Sequence, residues 1–173
     1  NACVATSATL CSDYWNVGTF SNSECYLTIT TLPDVNRQVH LYIRLADLGE
    51  TDALDGYSCI YTLLAGTDSV QIYRYDDDVA TQLGATISQD FAAGNKFGFE
   101  AIGSTLQAYR YDGASWASLG SRTDATYATG YIGIGVERTT AVVDDFGGGA
   151  PTGISPTIFT MYVESAGVDK TSL

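Results

Sequence analysis

The sequence predicts an all-β fold, a sandwich of two antiparallel sheets, and three observations support this prediction. Gly, Asn or Asp interrupts the chain at short, even intervals, and the intervening segments are rich in Val, Ile, Thr, Tyr and Phe, as is typical of strands. No segment of helical length shows an amphipathic stripe. The 173 residues, 45% of them hydrophobic, suffice for one domain with a sizeable core.

The strands are predicted from these interruptions in chain order. The clearest is 38–45, where Val39, Leu41 and Ile43 alternate with His40 and Tyr42, so that one face is apolar and the other polar. The full set of predicted strands is 9–17, 25–31, 38–45, 57–64, 69–75, 81–87, 96–102, 105–111, 115–119, 131–137 and 141–146.

Two hairpins are predicted within this set. The first joins 57–64 to 69–75 across a four-residue loop. The second joins 96–102 to 105–111 across Gly103-Ser104, a two-residue loop with Gly first, as a type II′ turn requires. Regularly spaced antiparallel hairpins favour a sandwich over a parallel sheet.

The C-terminal region is predicted to lie outside the sandwich. The expected organisation is a sandwich over 1–146, a Gly/Pro linker over 147–156, and an assembly strand with its tail over 157–173. Burial of three side chains on one face of that strand would contribute roughly 5 to 9 kcal/mol, enough for strand addition to another copy of the chain. The alternative is that the strand folds back onto its own sheet. The predicted assembly residues are Ile158, Phe159, Met161, Tyr162 and Val163.

Several segments together carry a family resemblance: 39–44, 55–57, 70–74, 98–106, 130–135 and 143–146. Their order resembles the concanavalin A-like (laminin G-like) jelly-roll domains of bacterial surface, secreted polysaccharide-active and phage virion proteins, over roughly residues 11 to 148. The resemblance implies a jelly roll at an extracellular or virion surface, but the fold hosts lectins, hydrolases and structural modules alike. The first strand of such domains, which pairs beside Asp144-Asp145-Phe146, is not found upstream of Cys3. Either the chain is truncated or another strand fills this position, for which 157–164 is a candidate.

The net charge is −12, from 20 acidic and 8 basic residues. Such a chain repels phosphate backbones and anionic membrane surfaces, so nucleic-acid partners are not expected. The longest apolar runs are far shorter than the roughly 20 residues of a membrane helix, so membrane insertion is not expected either.

The four cysteines are Cys3, Cys11, Cys25 and Cys59. Their spacing does not match a zinc site, and an even number in a chain of secreted character favours disulfides. Of the three pairings that four cysteines allow, we favour Cys3 with Cys11, and Cys25 with Cys59 across neighbouring strands. The alternative is four buried thiols.

Enzymatic chemistry is not expected from this sequence. The strand carboxylates Glu100 and Glu137 are each isolated, whereas glycoside hydrolysis needs two carboxylates across one cleft, and Glu100 is expected to pair with Arg44. His40 is the only histidine. It is interpreted as a polar-face strand residue rather than a catalytic base.

Calcium is the only cofactor that the sequence suggests, in a structural role. Carboxylate oxygens suit calcium, although three adjacent aspartates at a hairpin end also occur in solvated turns. The candidate ligands are Asp76, Asp77, Asp78, Asp144 and Asp145.

Glycan binding would require exposed aromatic side chains, and this chain has 12 Tyr and 2 Trp. Aromatic residues also stabilise strand pairs without any ligand. The candidate glycan-binding residues are Tyr14, Trp15, Tyr73, Tyr75, Tyr109, Tyr111 and Trp116.

Two functions are therefore expected from sequence. The first is a non-enzymatic structural subunit, of a virion appendage or an extracellular filament, that assembles with other copies of itself through the C-terminal strand. The alternative is a lectin-like module that binds carbohydrate, such as a surface polysaccharide.

Overall fold

A computed structural model describes residues 3–4, 10–46, 54–137 and 140–151. These residues form thirteen strands in two antiparallel sheets, so the prediction of an all-β sandwich is confirmed. In this part of the chain there is no helix long and apolar enough to cross a membrane.

The candidate site lies on the six-stranded sheet. Every neighbouring pair in it is antiparallel. In spatial order its strands are β1 (Cys3–Val4), β13 (Val142–Gly149), β3 (Ser23–Thr31), β9 (Lys96–Ile102), β10 (Thr105–Tyr111) and β11 (Trp116–Thr123).

The seven-stranded sheet packs against the first. In spatial order its strands are β2 (Leu10–Phe20), β12 (Gly130–Glu137), β4 (Arg37–Ala46), β5 (Asp55–Leu63), β6 (Ser69–Asp76) and β7 (Val79–Gln82), while β8 (Ile87–Ser88) pairs with β6. The predicted strand at 81–87 is therefore two short strands, separated at Gly84, where φ is +71°.

The core lies between the two sheets and follows the alternation of each strand. In β3 the side chains of Cys25, Leu27 and Ile29 are fully buried in it, and in β9 those of Phe97 and Phe99 are buried in the same way. Because successive side chains point to opposite faces, the residues between these positions point away from the core.

Arg44 closes one end of the sandwich, and the predicted pairing of Arg44 with Glu100 is wrong. A bulge in β4 and a φ of +53° bring the Arg44 side chain inside, where it is 2% exposed. Its guanidinium donates hydrogen bonds to the backbone carbonyls of Ser21, Gly103 and Tyr127 at 2.6 to 2.9 Å. These contacts tie three loops to the seven-stranded sheet.

The C-terminal edge of the sandwich differs from the prediction in two ways. β13 continues to Gly149, beyond the predicted end at Phe146, and its last residues pair with β3. The other edge of β13 pairs with the chain's own β1, through Cys3 with Val143 and Val4 with Val142, so this edge is partly occupied. The predicted assembly strand at 157–164 lies outside the described residues.

Cys25 and Cys59 are buried thiols, so the predicted disulfide between them is not present in the structure. They lie on β3 and β5, which belong to different sheets. The prediction had placed the two cysteines on neighbouring strands. The Cys25 thiol donates to the Tyr42 carbonyl oxygen at 3.4 Å. The Cys3–Cys11 pairing stays a prediction, because the Cys3 side chain is outside the described part of the chain.

Candidate functional site

The outer face of the six-stranded sheet combines carboxyl groups with aromatic rings. Its central residues belong to β3, β9, β10 and β11, and the strand register aligns them in rows that cross the sheet. We call these residues the carboxyl–aromatic face; its rows are Glu24–Glu100–Gln107, Tyr26–Gly98–Tyr109 and Thr28–Lys96–Tyr111–Trp116.

Trp116 lies across this face rather than standing upright on its own strand. A Cβ atom on Gly98 would lie 2.9 Å from Cζ3 of the indole, so the ring reaches from β11 over β10 to β9. The Tyr111 ring centroid is 5.4 Å from that of Trp116, and the Tyr109 centroid is 6.5 Å away at an interplanar angle of 89°. Gly98 thus provides the space in which the indole lies against the sheet.

Glu24 and Glu100 occupy directly opposite positions on β3 and β9, where Cβ atoms are about 5 Å apart. Glu100 is 5% exposed. Its Oε1 accepts a hydrogen bond from the Tyr109 hydroxyl at 3.4 Å, and its buried Oε2 has no hydrogen-bond partner. Burial is the main cause that raises the pKa of each carboxyl to about 7, and for Glu24 the charge of Glu100 adds to it.

The Lys96 side chain on this face is directed away from Glu24 and Glu100. The Lys96 ammonium lies 5.7 Å from the centroid of the Tyr26 ring and 3.6 Å from Oδ2 of Asp145. None of the ion pairs between described residues includes Glu24 or Glu100. When both carboxyl groups are ionised they therefore repel each other, and no ion pair within the described part of the chain compensates them.

Four polar side chains on the outer face of the seven-stranded sheet form a hydrogen-bonded chain. Ser12 Oγ lies 3.3 Å from the Tyr42 hydroxyl, which lies 3.2 Å from His40 Nδ1, and His40 Nε2 lies 3.0 Å from Gln38 Oε1. His40 is on the polar face, as predicted, but it is buried, and burial lowers its pKa to about 4. An imidazole that is neutral and hydrogen-bonded at both ring nitrogens has a structural role.

The predicted glycan-binding residues divide among three locations. Tyr109, Tyr111 and Trp116 meet on the carboxyl–aromatic face. Tyr73 and Tyr75 contact each other on the opposite sheet, on which Tyr14 also lies, paired with Tyr131. Trp15 packs against the core.

Sequence reasoning did not identify Glu24 as a site residue. It lies one position before Cys25, so alternation in β3 would have predicted that its side chain points outward. Its position opposite Glu100, however, depends on the register of β3 against β9, which no local pattern specifies.

Of the predicted calcium ligands in the β6–β7 turn, the Asp76 and Asp78 carboxyls accept hydrogen bonds within the protein. Asp76 accepts hydrogen bonds from Arg74 Nε at 2.8 Å and from the Tyr127 hydroxyl at 2.9 Å. Asp77 and Asp78 form the turn itself, with φ of 47° and 62°, which is the left-handed geometry of a two-residue hairpin loop.

Asp144 and Asp145 are also bonded within the protein. Asp144 Oδ1 accepts the Asp145 backbone N–H at 2.8 Å, and Asp145 Oδ2 accepts the Thr28 hydroxyl at 3.1 Å. Among the described residues no group of three His, Cys, Asp or Glu side chains is placed to hold a metal. Calcium binding stays a prediction.

Comparison with known proteins identifies the fold. No protein-family model matches the sequence, and a search of curated proteins finds no match. The structure is similar to the carbohydrate-binding module CBM66 from Bacillus subtilis, with a TM-score of 0.63 and 18% identity over 86% of this chain and 91% of that chain. It is also similar to a legume lectin-like domain from Entamoeba histolytica, with a TM-score of 0.52 and 12% identity over 80% of this chain and 76% of that chain. The chain therefore has the jelly-roll sandwich fold of lectin-like domains.

Proposed function

We propose that this protein is a carbohydrate-binding module that holds its ligand on the carboxyl–aromatic face. The observation that carries the proposal is the Trp116 indole lying across Gly98 beside Tyr109 and Tyr111. Large flat aromatic rings with a polar rim suit ligands that have both apolar and polar faces. A sugar ring has C–H groups to pack on the indole and hydroxyl groups to donate to nearby carboxyl oxygens.

Polar groups beside the indole suit this ligand. Glu100 Oε2 lacks a hydrogen-bond partner, whereas the Gln107 amide opposite it on β10 already donates to Ser118 Oγ and the Gly120 carbonyl at 2.7 Å. A buried acceptor without a partner costs about 1 to 3 kcal/mol, and a ligand hydroxyl that donates to it would recover part of this cost. The two similar structures support the proposal at the level of fold, since one is a carbohydrate-binding module and the other a legume lectin-like domain.

The opposite sheet is a weaker candidate for the same function. Several of its polar side chains are already paired, as Gln71 with Gln82 at 2.9 Å and His40 with Gln38 at 3.0 Å, although the buried hydroxyls of Ser58 and Thr62 have no hydrogen-bond partner. A ligand there would have to displace existing hydrogen bonds, so its own bonds would give little net gain.

We further propose that the protein binds its glycan without hydrolysing it. The register places two carboxyl groups on adjacent strands, so the isolation of Glu100, on which the sequence argument against a hydrolase relied, does not hold. Glycoside hydrolysis, however, uses two carboxyls whose pKa values are driven apart, one acid and one base. Here burial raises the pKa of both Glu24 and Glu100, so the two are shifted in the same direction rather than apart.

The experiment is a binding survey followed by a matched pair of variants. The protein is tested against immobilised polysaccharides and oligosaccharides, and affinity for any retained glycan is measured by calorimetry. Trp116→Ala is expected to weaken binding about tenfold or more, at about 1 to 3 kcal/mol for a stacked ring. Tyr73→Ala, on the opposite sheet, is expected to bind like the unmodified protein.

Three outcomes contradict the proposal. If no glycan is retained, the function is wrong. If Tyr73→Ala loses affinity and Trp116→Ala does not, the face is wrong. If reducing ends accumulate from a retained glycan, and Glu100→Gln stops this, the protein is a hydrolase.

The assembly function expected from sequence stays a separate prediction, because its residues lie outside the described part of the chain. Deletion of residues 150–173 tests it by light scattering. A change of oligomeric state on deletion is expected if the strand joins copies, and an unchanged state would exclude this role.

A further inference from the structure

We propose that the carboxyl–aromatic face selects a cationic sugar, one with a free amino group, and holds the ammonium between Glu24 and Glu100. This inference rests on the proposed function and specifies the ligand class. It requires that the ammonium and a stacked sugar ring fit the same site, and that the protein supplies no cation of its own there.

Among the described residues no basic side chain pairs with either of these carboxyls. The groups that face Glu100 across the neighbouring strands are Glu24 on β3 and Gln107 on β10, with the Tyr109 hydroxyl beyond. The nearest basic residue on its own strand, Lys96, is directed to Asp145 at 3.6 Å.

An ammonium satisfies this site better than a neutral hydroxyl does. Glu100 is 5% exposed, and its Oε2 has no hydrogen-bond partner. A hydroxyl can donate one hydrogen bond, while an ammonium can donate three and also removes the repulsion between the two carboxylates. Hydrogen bonds in which the donor or the acceptor is ionised are about twice as strong as neutral ones, and an ammonium donor is ionised whether or not the carboxyl is.

The distances along β9 place the amine and the sugar ring in the same site. Trp116 lies over Gly98, and Glu100 is the next outward residue on that strand, about 6.6 Å further at 3.3 Å per residue. A sugar ring stacked on the indole can therefore direct a substituent at Glu100. The Tyr109 ring, which occupies the adjacent row, provides aromatic surface that favours a cation, whereas the Tyr26 ring already faces the Lys96 ammonium.

The net charge of the whole chain also favours a cationic ligand. A net charge of −12 attracts cationic glycans and repels acidic ones such as uronic acids. This general attraction is not specific to the site, so the experiment must separate it from the local contact.

The probes are a glucosamine tetramer, which is cationic, and the N-acetylglucosamine tetramer, its neutral counterpart. Affinities are measured at pH 7 by calorimetry for the unmodified protein, Glu100→Gln and the control Glu137→Gln. The control removes the same charge, from a carboxyl that pairs with Arg37 at 2.8 Å on the other sheet. Circular dichroism of each variant verifies folding, and Glu24→Gln serves as a second test of the pair.

The glucosamine tetramer is expected to bind about tenfold tighter than its neutral counterpart, from one charged hydrogen bond. Glu100→Gln and Glu24→Gln are each expected to remove this preference, and Glu137→Gln to keep it. Equal binding of the two tetramers, or a preference that falls equally in Glu137→Gln, overturns the inference. If the protein still retains neutral glycans through Trp116 in that case, the proposed function stands while the ligand class is wrong. Failure to retain any glycan defeats both.

Discussion

Replacement of Glu100 with Gln is expected to stabilise the protein at pH 8 and to change little at pH 5. Burial raises the pKa of Glu100 and Glu24 from 4.5 to about 7, so the folded state binds more protons than the unfolded state between these values. The stability contributed by the neutral carboxyls is therefore complete below pH 4.5 and is lost as the pH rises through 7. Gln stays neutral throughout, and it retains an oxygen that can accept the Tyr109 hydroxyl.

The magnitude follows from the size of this pKa change. A pKa of about 7 in place of 4.5 corresponds to about 3 kcal/mol per carboxyl, at about 1.4 kcal/mol per pKa unit. Solvent reaches part of Glu24, and the two carboxyls titrate as a coupled pair, so we take about half of this value. Glu100→Gln is thus expected to gain about 1.5 kcal/mol at pH 8 and less than about 0.5 kcal/mol at pH 5.

The assay is urea unfolding at pH 5, 6, 7 and 8, followed by circular dichroism. Comparison of variant with unmodified protein at each pH cancels the titration of other groups, among them His40, whose pKa burial lowers to about 4. The control Glu137→Gln loses its bond to Arg37 at 2.8 Å, a partly exposed pair worth about 0.5 kcal/mol. It should therefore be slightly less stable at every pH.

The reasoning fails if Glu100→Gln is no more stable than the unmodified protein at pH 8. It also fails if the stability difference between them does not grow from pH 5 to pH 8. Either result would mean that burial does not raise the pKa of these carboxyls in the folded protein.

Three further predictions concern single side chains. Arg44→Met should cost about 3 to 5 kcal/mol in urea unfolding, because three backbone carbonyls lose a charged donor; a cost below about 1 kcal/mol would show that these bonds do not support the end of the sandwich. Asp68→Asn should cost about 2 kcal/mol, because the buried carboxylate accepts a tyrosine hydroxyl at 2.8 Å and a backbone N–H at 3.0 Å; no loss would contradict this. Gly98→Ala should weaken glycan binding severalfold by displacing Trp116, whereas Gly18→Ala, which has no atom within 4 Å of an added Cβ, should not; equal binding by both would exclude the proposed position of the indole.

Local patterns predicted the strands well because strand formation depends on neighbours in sequence. The alternation around Val39 and Leu41 predicted β4, and the Gly103-Ser104 turn predicted the β9–β10 hairpin; the structure confirms both. The β6–β7 turn shows the limit of this reasoning. Residue type there allows both calcium ligands and a solvated turn: Asp77 and Asp78 form a hairpin loop with positive φ values, and calcium binding stays a prediction.

The candidate site was predicted only in part, because it depends on contacts between distant segments. Tyr109, Tyr111 and Trp116 were identified from residue type and lie close together in sequence. Glu24 was not identified, because β3 and β9 are far apart in the chain and their register follows from packing of the whole core.

Arg44 illustrates a second limit, since simple alternation would direct its side chain outward. The bulge in β4 reverses that direction, as an extra residue in one strand changes the face that follows it. No feature of residues 38–45 indicates this bulge. It is explained by the three backbone carbonyls that converge on the guanidinium.

The most direct test of glycan binding at the carboxyl–aromatic face uses the fluorescence of Trp116. The chain has two tryptophans, and Trp15 packs against the core, so Trp15→Phe leaves Trp116 as the only indole. Titration of this variant with a retained glycan should change the Trp116 emission in a saturable way, with the same dissociation constant that calorimetry gives. Calorimetric binding without any change in Trp116 emission would contradict the account.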